Sequence, residues 1–313
     1  MPPHLRDRAL SLARRDGQWS APAARDAATV VLLRDAASGE GPPLSTLLMR
    51  RVSTMSFAAG MYVFPGGGLD PEDLAVGLPW EDPGAPASRD DPERMSATPD
   101  VARGLVVCAV REVFEETGIL LAVDADGSTP VPDDAWESDR RAVAASPGSV
   151  PGVLQRRGLR LAPRLVPLWT HWVTPEFESR RFDVRFFVAA VPRGQQVEQV
   201  SGEADDAQWL GPAEALARYG RGLLPMLPPT VATLGDLVPF ADAGEVLSAA
   251  PARVVRPLMP HPRLGAADAL EWDLLDLRSG EAVLSLPGAP AGSEAEGALG
   301  RPGGSQAEGA LGR

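Results

Sequence analysis

Residues 111–119, with the sequence REVFEETGI, combine side chains whose types and spacing favour chemistry. In a helix, Glu112, Glu115 and Glu116 lie within one arc of about 100°. Like charges at these spacings destabilise a bare helix by about 0.2–0.5 kcal/mol per pair, so three carboxylates held together need a compensating cation. Hard divalent ions such as Mg²⁺ and Mn²⁺ prefer oxygen ligands. The segment therefore predicts a metal site, with Arg111 one turn before Glu115 and able to brace it.

Two features of the surrounding sequence favour this metal site over a solvated acidic surface, which is the ordinary explanation for a run of glutamates. Apolar residues beside the acids recur at helical spacing and predict a buried stripe. These residues are Ala102, Val106, Ala109 and Val113. Thr98 and Pro99 form a good helix start, and Gly118 is a fitting helix stop. The sequence therefore predicts one helix from Pro99 to about Thr117, with its acids at the margin of the core.

The helix sequence is similar to the second half of the Nudix box, R-E-U-x-E-E-x-G-U, in which U is a bulky aliphatic residue. The first half is residues 64–68, FPGGG, directly after a predicted strand. Standard spacing would place a glycine at position 97 and a glutamate at 103, where this chain has Ala97 and Arg103. The box is thus split by an insertion of roughly residues 74–98. This arrangement resembles the Nudix branch of peroxisomal-type CoA and acyl-CoA diphosphatases and their bacterial relatives.

The resemblance implies a fold of the α/β (α+β) class, the Nudix α/β/α sandwich with a mixed β-sheet. It also implies an Mg²⁺- or Mn²⁺-dependent hydrolase that cleaves the pyrophosphate bond of a nucleoside diphosphate derivative. CoA or acyl-CoA is the best substrate match, while NADH, ADP-ribose or a nucleotide sugar is an alternative. A third hypothesis is a ligand-sensing Nudix-like module without turnover, and the intact box carboxylates argue against it.

By the same resemblance, Glu112 and Glu116 are the expected metal ligands, because carboxylates at i and i+4 can share one ion. Glu115 is expected to be a third ligand or the base that takes the proton of the attacking water. A backbone carbonyl around Gly67 would be a further ligand. Arg111 would orient a box glutamate.

Residues outside the box helix complete the expected site. Glu203 is a second candidate base, because the general base of this superfamily is not fixed in position. L-L-x-R ending at Arg50, followed by G-x-x-x-F-P-G-G, resembles the CoA-type signature. Arg50, Phe64, Gly66 and Gly68 are therefore predicted to bind substrate. A surface arginine at a strand edge is the alternative reading of Arg50.

The position of the first box glutamate depends on how the insertion is accommodated. Counted from the glycines, Glu72 or Asp73 lies about where this glutamate would fall. Residues 70–98 are rich in acids and prolines and predict an extended excursion with little regular structure. We expect the insertion to loop out, so that residues 66–68 pack near Glu112, within about 10 Å of the carboxylates.

Composition limits the classes of function. The chain has 313 residues, 44% of them hydrophobic, a net charge of −12 and a pI near 4.8. An acidic protein is a poor candidate for general nucleic-acid binding. A single cysteine precludes an internal disulfide and fits a reducing cytoplasm. With no apolar segment of 18 residues, we expect a cytoplasmic protein without a membrane span. The resemblance implies that it acts on a small diphosphate substrate, with homodimer formation left open.

The chain divides into three predicted parts. Residues 1–25 form an N-terminal extension, and residues 26–285 form the Nudix domain with a C-terminal extension from about 240. A hairpin is predicted beyond residue 250. The glycine-rich tail, 286–313, repeats AEGALGR and is predicted to be disordered.

Overall fold

The computed structural model describes residues 3–14, 20–36, 42–52, 58–75, 77–81, 91–197, 204–266 and 269–286. Glu203 and the tail from residue 287 lie outside these ranges, so the predictions made for them remain predictions. The α-helices are α1 Pro3–Arg14, α2 Asp91–Arg94, α3 Pro99–Thr117, α4 Trp136–Ala145, α5 Val150–Arg157, α6 Pro212–Gly220, α7 Pro228–Leu237 and α8 Ala243–Ala249.

The strands are β1 Arg25–Asp35, β2 Leu44–Arg51, β3 Tyr62–Val63, β4 Gly66–Gly68, β5 Ala122–Val123, β6 Arg160–Leu161, β7 Leu168–Val173, β8 Phe182–Ala190, β9 Ala204–Leu210, β10 Pro257–Leu264, β11 Leu270–Asp276 and β12 Glu281–Leu286. The large sheet has the order β12-β11-β10-β7-β8-β1-β2-β3, with β4 added to β1 and β9 to β2. β1 is parallel to β8 and β10 is parallel to β7, while the other neighbours are antiparallel. The sheet is therefore mixed.

Side-chain alternation along β1 gives the sheet two apolar faces. Val30 and Leu32 join a buried cluster with α3, α4 and α5, whereas Val31 and Leu33 join a second cluster with α7 and α8. Helices thus cover both faces. This arrangement confirms the predicted α/β/α sandwich with a mixed sheet.

Residues 70–98, for which the sequence predicts little regular structure, contain two short helical segments within their described part. A 3₁₀ turn spans Pro71–Leu74, and α2 follows at Asp91–Arg94, immediately before α3. Trp80 forms an isolated bridge with Leu161. The described portion of the insertion is therefore more regular than its proline content predicts.

The C-terminal extension differs from the predicted hairpin by one strand. β10 pairs with β7 at the sheet edge, β11 pairs with β10, and β12 pairs with β11. Residues at the N-terminus reach the same region, because α1 packs against β10 and β11. Both ends of the described chain therefore pack at the same edge of the sheet.

Among the described residues, every helix is too short or too polar to span a membrane.

Candidate active site

The ends of α3 are fixed by its own sequence. The side chain of Thr98 accepts a hydrogen bond from the backbone N–H of Val101 at 3.4 Å, and Pro99 occupies the first turn. At the other end Gly118 adopts a left-handed conformation, with φ of 77°, and its N–H donates to Phe114. These observations confirm the predicted helix from Pro99 to Thr117. The box glutamates therefore lie on the last two turns.

The glycine loop reaches α3 despite the insertion. β4 pairs with β1, and the N–H of Gly66 donates to the carboxylate of Glu116 at 2.9 Å. A Cβ placed on Gly67 would lie 2.3 Å from Oε1 of Glu112, so only a glycine permits this approach. The predicted packing of the loop near Glu112 is therefore confirmed.

Arg111 connects three acidic side chains. Its Nη1 donates to Glu112 at 2.7 Å and to Glu115 at 3.4 Å. Its Nε and Nη2 donate to the two carboxylate oxygens of Asp73 at 2.8 and 3.0 Å, and Nη2 also donates to the carbonyl of Gly68 at 3.1 Å. Arg111 thus contacts two box carboxylates, Asp73 and the glycine loop at the same time.

Asp73 also belongs to this site. From the sequence, the first acid of the box could be assigned only to Glu72 or Asp73. Asp73 lies six positions after Gly67, the spacing that a contiguous box would give its first glutamate, so the insertion follows this residue rather than preceding it. Its carboxylate also accepts from the N–H of Asp70 at 2.9 Å. A Cβ on Gly104 would meet the side chain of Leu74 at 2.5 Å, which shows how closely the 3₁₀ turn packs on α3. This close packing brings Asp73 to Arg111.

Burial controls the electrostatics of the cluster. The side chains of Asp73 and Arg111 are 1% and 5% exposed, and those of Glu112 and Glu115 are 12% and 27% exposed. Burial raises the pKa of Glu112 to about 7, against the opposing effect of Arg111. Burial alone would lower the pKa of Arg111, but its hydrogen bonds to Asp73 and the charge of Glu112 outweigh this effect and raise the pKa. Arg111 therefore stays charged.

Cys108, one turn before Glu112, is fully buried. Its Sγ lies 3.4 Å from the carbonyl oxygen of Gly68. Burial raises the pKa of its thiol well above the usual value, so the thiol stays protonated at neutral pH. Cys108 is therefore a small packing residue of the core.

The donor chemistry of the cluster fits a divalent cation. The carboxylates of Asp73, Glu112 and Glu115 contact the Arg111 guanidinium, and the carboxylate of Glu116 accepts from Gly66 nearby. These five side chains carry a formal charge of −3. Hard oxygen donors with excess negative charge suit Mg²⁺ or Mn²⁺. In the part of the chain that the structure covers, however, no three His, Cys, Asp or Glu side chains are placed to hold one ion. Glu112 and Glu116 would have to turn away from their partners on Arg111 and Gly66.

The residues predicted to bind substrate lie in different environments in the structure. Gly66 and Gly68 lie on the loop beside α3. Phe64 is buried in the core, 3% exposed, and packs edge-on against Phe186 at 6.5 Å between ring centroids. A ring so enclosed supports the loop from beneath instead of contacting a ligand. Arg50 pairs with Asp205 at 2.7 Å on the exposed side of the sheet edge.

Comparisons with known proteins agree with this geometry. The family profile of the NUDT19 Nudix domain matches residues 79–237. The acyl-coenzyme A diphosphatase NUDT19 of Xenopus laevis is 27% identical over 234 residues, which cover 64% of this chain and 61% of the relative. The homologue of Gallus gallus is 27% identical over 264 residues, covering 71% and 70%. This chain thus spans less than two thirds of the Xenopus protein's length.

A solved structure gives the same result for the fold. The crystal structure of the NUDIX hydrolase from Alicyclobacillus acidocaldarius is 30% identical, with a TM-score of 0.57. The match covers 73% of this chain and 97% of that protein. From the split box, the assembled loop and helix, and the profile that spans half of the sequence, the chain belongs to the NUDT19-type Nudix domain family.

Proposed function

We propose that this protein is an Mg²⁺- or Mn²⁺-dependent Nudix diphosphatase that hydrolyses the pyrophosphate bond of CoA or acyl-CoA. The observation that carries the proposal is the contact of Gly66 with Glu116 and of Gly67 with Glu112, across the split box. These contacts join a bend made of glycines to a set of carboxylates. The substrate class is supported by the name of the relatives in Xenopus laevis and Gallus gallus, which are acyl-coenzyme A diphosphatases.

The reaction follows from phosphate chemistry. Water adds to one phosphorus of the pyrophosphate and the other phosphate leaves, so CoA and water give 3′,5′-ADP and 4′-phosphopantetheine. Such a transition state needs charge neutralisation and in-line positioning more than covalent chemistry. A bound divalent ion supplies that neutralisation and acidifies the attacking water.

Different residues of the chain would bind the ion, accept the proton and position the carboxylates. Glu112 and Glu116 would hold the ion, with the carbonyl of Gly67 as a further ligand. Glu115 would take the proton of the attacking water, because its side chain is the most exposed of the acids that Arg111 contacts. Arg111 donates to the carboxylates of Glu112 and Glu115 and would hold them in position.

A product assay tests the proposal. The purified protein is incubated with CoA, acetyl-CoA, NADH or ADP-ribose in Mg²⁺ or Mn²⁺, and products are separated by chromatography. We expect 3′,5′-ADP with phosphopantetheine or its acyl derivative, and slower turnover of NADH and ADP-ribose. Preferential cleavage of NADH or ADP-ribose would overturn the substrate assignment.

The same assay with Glu116→Gln separates catalysis from folding. This variant should lose turnover while the far-UV circular dichroism spectrum stays that of the wild type. Tight binding of one compound by the wild type, with no cleavage of any, would instead indicate a ligand-sensing module.

A further inference from the structure

The last turn of α3 carries two box glutamates at the end of the helix where negative charge is unfavourable. Residues 114–117 have the sequence FEET, so this turn contains Glu115 and Glu116 and no basic side chain of its own. The C-terminus of a helix has partial negative charge, which a cation stabilises. The last carbonyls of a helix also lack partners within the helix. The turn therefore needs a positively charged hydrogen-bond donor from another element.

Arg140 of α4 supplies that donor. Its Nη1 donates to the backbone carbonyl of Glu115 at 2.7 Å. Its carbon chain lies against the end of the helix, because a Cβ placed on Gly118 would be 3.7 Å from Cδ of Arg140. The side chain of Arg140 is 12% exposed, so this contact is largely shielded from water. A hydrogen bond from a charged donor is about twice as strong as one between neutral groups.

Glu137 holds Arg140 in this position. Its two carboxylate oxygens accept from Nε and Nη2 of Arg140, each at 2.7 Å. These hydrogen bonds lower the pKa of Glu137 to about 2, so the pair stays ionised at neutral pH. The bidentate pairing fixes the plane of the guanidinium and leaves Nη1 for the carbonyl of Glu115.

A second donor on the same face of α4 reaches the end of α3. Trp136 lies one turn before Arg140 and donates from Nε1 to the carbonyl of Gly118 at 2.8 Å. Its ring packs edge-on against Phe114, with 5.5 Å between ring centroids. α4 therefore binds the end of α3 at two carbonyls, those of Glu115 and Gly118.

We propose that Arg140, held by Glu137, is a positioning residue for the glutamates of this turn. By binding the carbonyl of Glu115, it fixes the backbone from which the side chains of Glu115 and Glu116 project. Helix ends fray, and a displacement of about 1 Å at a reacting group can cost about a hundredfold in rate. The inference rests on the proposed diphosphatase, in which Glu115 takes a proton and Glu116 binds the ion. It adds to that site a residue of α4, outside the box.

The variant Arg140→Met tests this role, because methionine keeps an unbranched apolar chain and removes the donors. Loss of a group that orients metal ligands typically costs about 10–100-fold, so kcat should fall by this factor and Mn²⁺ should bind about tenfold more weakly. KM should stay within about threefold, since the glycine loop is unchanged. Mn²⁺ binding is measured by electron paramagnetic resonance. Arg140→Lys, which keeps a positively charged donor, should restore most of the lost kcat.

Arg141→Met is the matched control. It also removes one positive charge and one hydrogen bond to Glu137, but the side chain of Arg141 is 72% exposed. This variant should keep the kcat and Mn²⁺ affinity of the wild type. Equal changes in both methionine variants would overturn the inference and leave the diphosphatase proposal standing. So would a lower melting temperature of Arg140→Met with kcat and Mn²⁺ affinity unchanged, because Arg140 would then serve stability alone.

Amide hydrogen exchange, followed by nuclear magnetic resonance, tests the same contact without turnover. The N–H of Gly118 donates to Phe114 and should exchange about tenfold faster in Arg140→Met, whereas Arg141→Met should exchange as the wild type does. If the wild type cleaves no diphosphate, the diphosphatase proposal fails, and the exchange rate of Gly118 still decides whether Arg140 holds this turn. Unchanged exchange in Arg140→Met would overturn the inference.

Discussion

Arg111 and Asp73 form a bidentate, buried ion pair although they are 38 positions apart in the sequence. The pair joins the 3₁₀ turn that follows the glycine loop to the helix that carries the box glutamates. The insertion leaves the sheet region after Asp73 and returns before α3, so the two halves of the box meet as they would in an unbroken one. This ion pair therefore holds the two halves of the interrupted motif together in one site.

Removing the Asp73 carboxylate tests this role. Asp73→Asn should destabilise the protein by about 3 kcal/mol, the lower end for breaking a buried pair, because Glu112 still accepts from Arg111. Turnover should fall as well, since the glycine loop loses its link to α3. The measurement is urea denaturation alongside the CoA assay. Glu72→Gln, which changes the exposed neighbouring acid, should stay within about 0.5 kcal/mol of the wild type. An equal effect of both variants would contradict the assignment.

The glycine loop offers a comparison between adjacent positions. A Cβ at Gly67 would overlap the carboxylate of Glu112, whereas a Cβ at Gly68 would meet nothing within 4 Å. Gly67→Ala should therefore displace Glu112 and reduce kcat/KM about a hundredfold or more, an effect of about 3 kcal/mol. Its fold should persist, because the end of a glutamate side chain can move. Gly68→Ala should retain activity within a few-fold. Similar rates for both alanine variants would show that Glu112 need not occupy its present place.

The role of Glu115 can be separated from metal binding. Glu115→Gln should lower kcat by about 10²–10⁴, the range for loss of a general base, while Mn²⁺ affinity stays within about threefold. Mn²⁺ binding is measured by electron paramagnetic resonance and kcat by product formation. Glu214→Gln, an exposed acid on α6, is the control for loss of one negative charge. A fall in Mn²⁺ affinity would show that Glu115 is a metal ligand. An unchanged kcat would favour Glu203 as the general base.

The free energy of unfolding should depend on pH partly through the protonation of His171. This residue of β7 is 1% exposed and contacts Asp183 of β8 through Nε2. Burial lowers the pKa of His171, the contact with Asp183 opposes this effect, and the charges of Arg185 and Arg278 add to it. Because the folded state binds the proton less well than the unfolded state, the stabilisation is complete above about pH 6.5 and declines as the pH falls.

Denaturation between pH 5 and 7.5 measures this effect. The wild type should lose stability relative to His171→Asn toward acid pH, by at most about 1.4 kcal/mol per unit for this one proton. Comparing the two proteins cancels the opposite slope from Glu112, whose pKa burial raises to about 7 in both. His261→Gln should show the same pH dependence as the wild type. A stability difference between the wild type and His171→Asn that does not change with pH would assign the titration to other groups.

The box helix could be read from sequence because its signals are local. Thr98, Pro99 and Gly118 set its ends, and a 3.6-residue period sets its buried side. The partner of Arg111 was harder to place, since Glu72 and Asp73 are adjacent acids and only the capped 3₁₀ turn decides which one points inward. Phe64 is predicted to bind substrate because it belongs to a matching motif. The motif match could not show that its side chain is buried.

The face that Trp169 and Trp172 share could not be predicted from the sequence. Trp169 and Trp172 share a face because of a bulge, and bulges depend on the pairing between β7 and β8 rather than on either strand alone. The third strand of the C-terminal extension was missed for a similar reason. β12 is short and exposed, so its alternation is weak and its position depends on β11.

The central claim is that the glycine loop and the last turns of α3 form one divalent-ion site. A crystal structure with Mn²⁺ and a non-hydrolysable CoA analogue, recorded at the manganese absorption edge, tests it most directly. We predict an anomalous peak within about 2.5 Å of carboxylate oxygens of Glu112 and Glu116, with the carbonyl of Gly67 facing it. A structure with the analogue bound, and no manganese at these residues, would contradict the account.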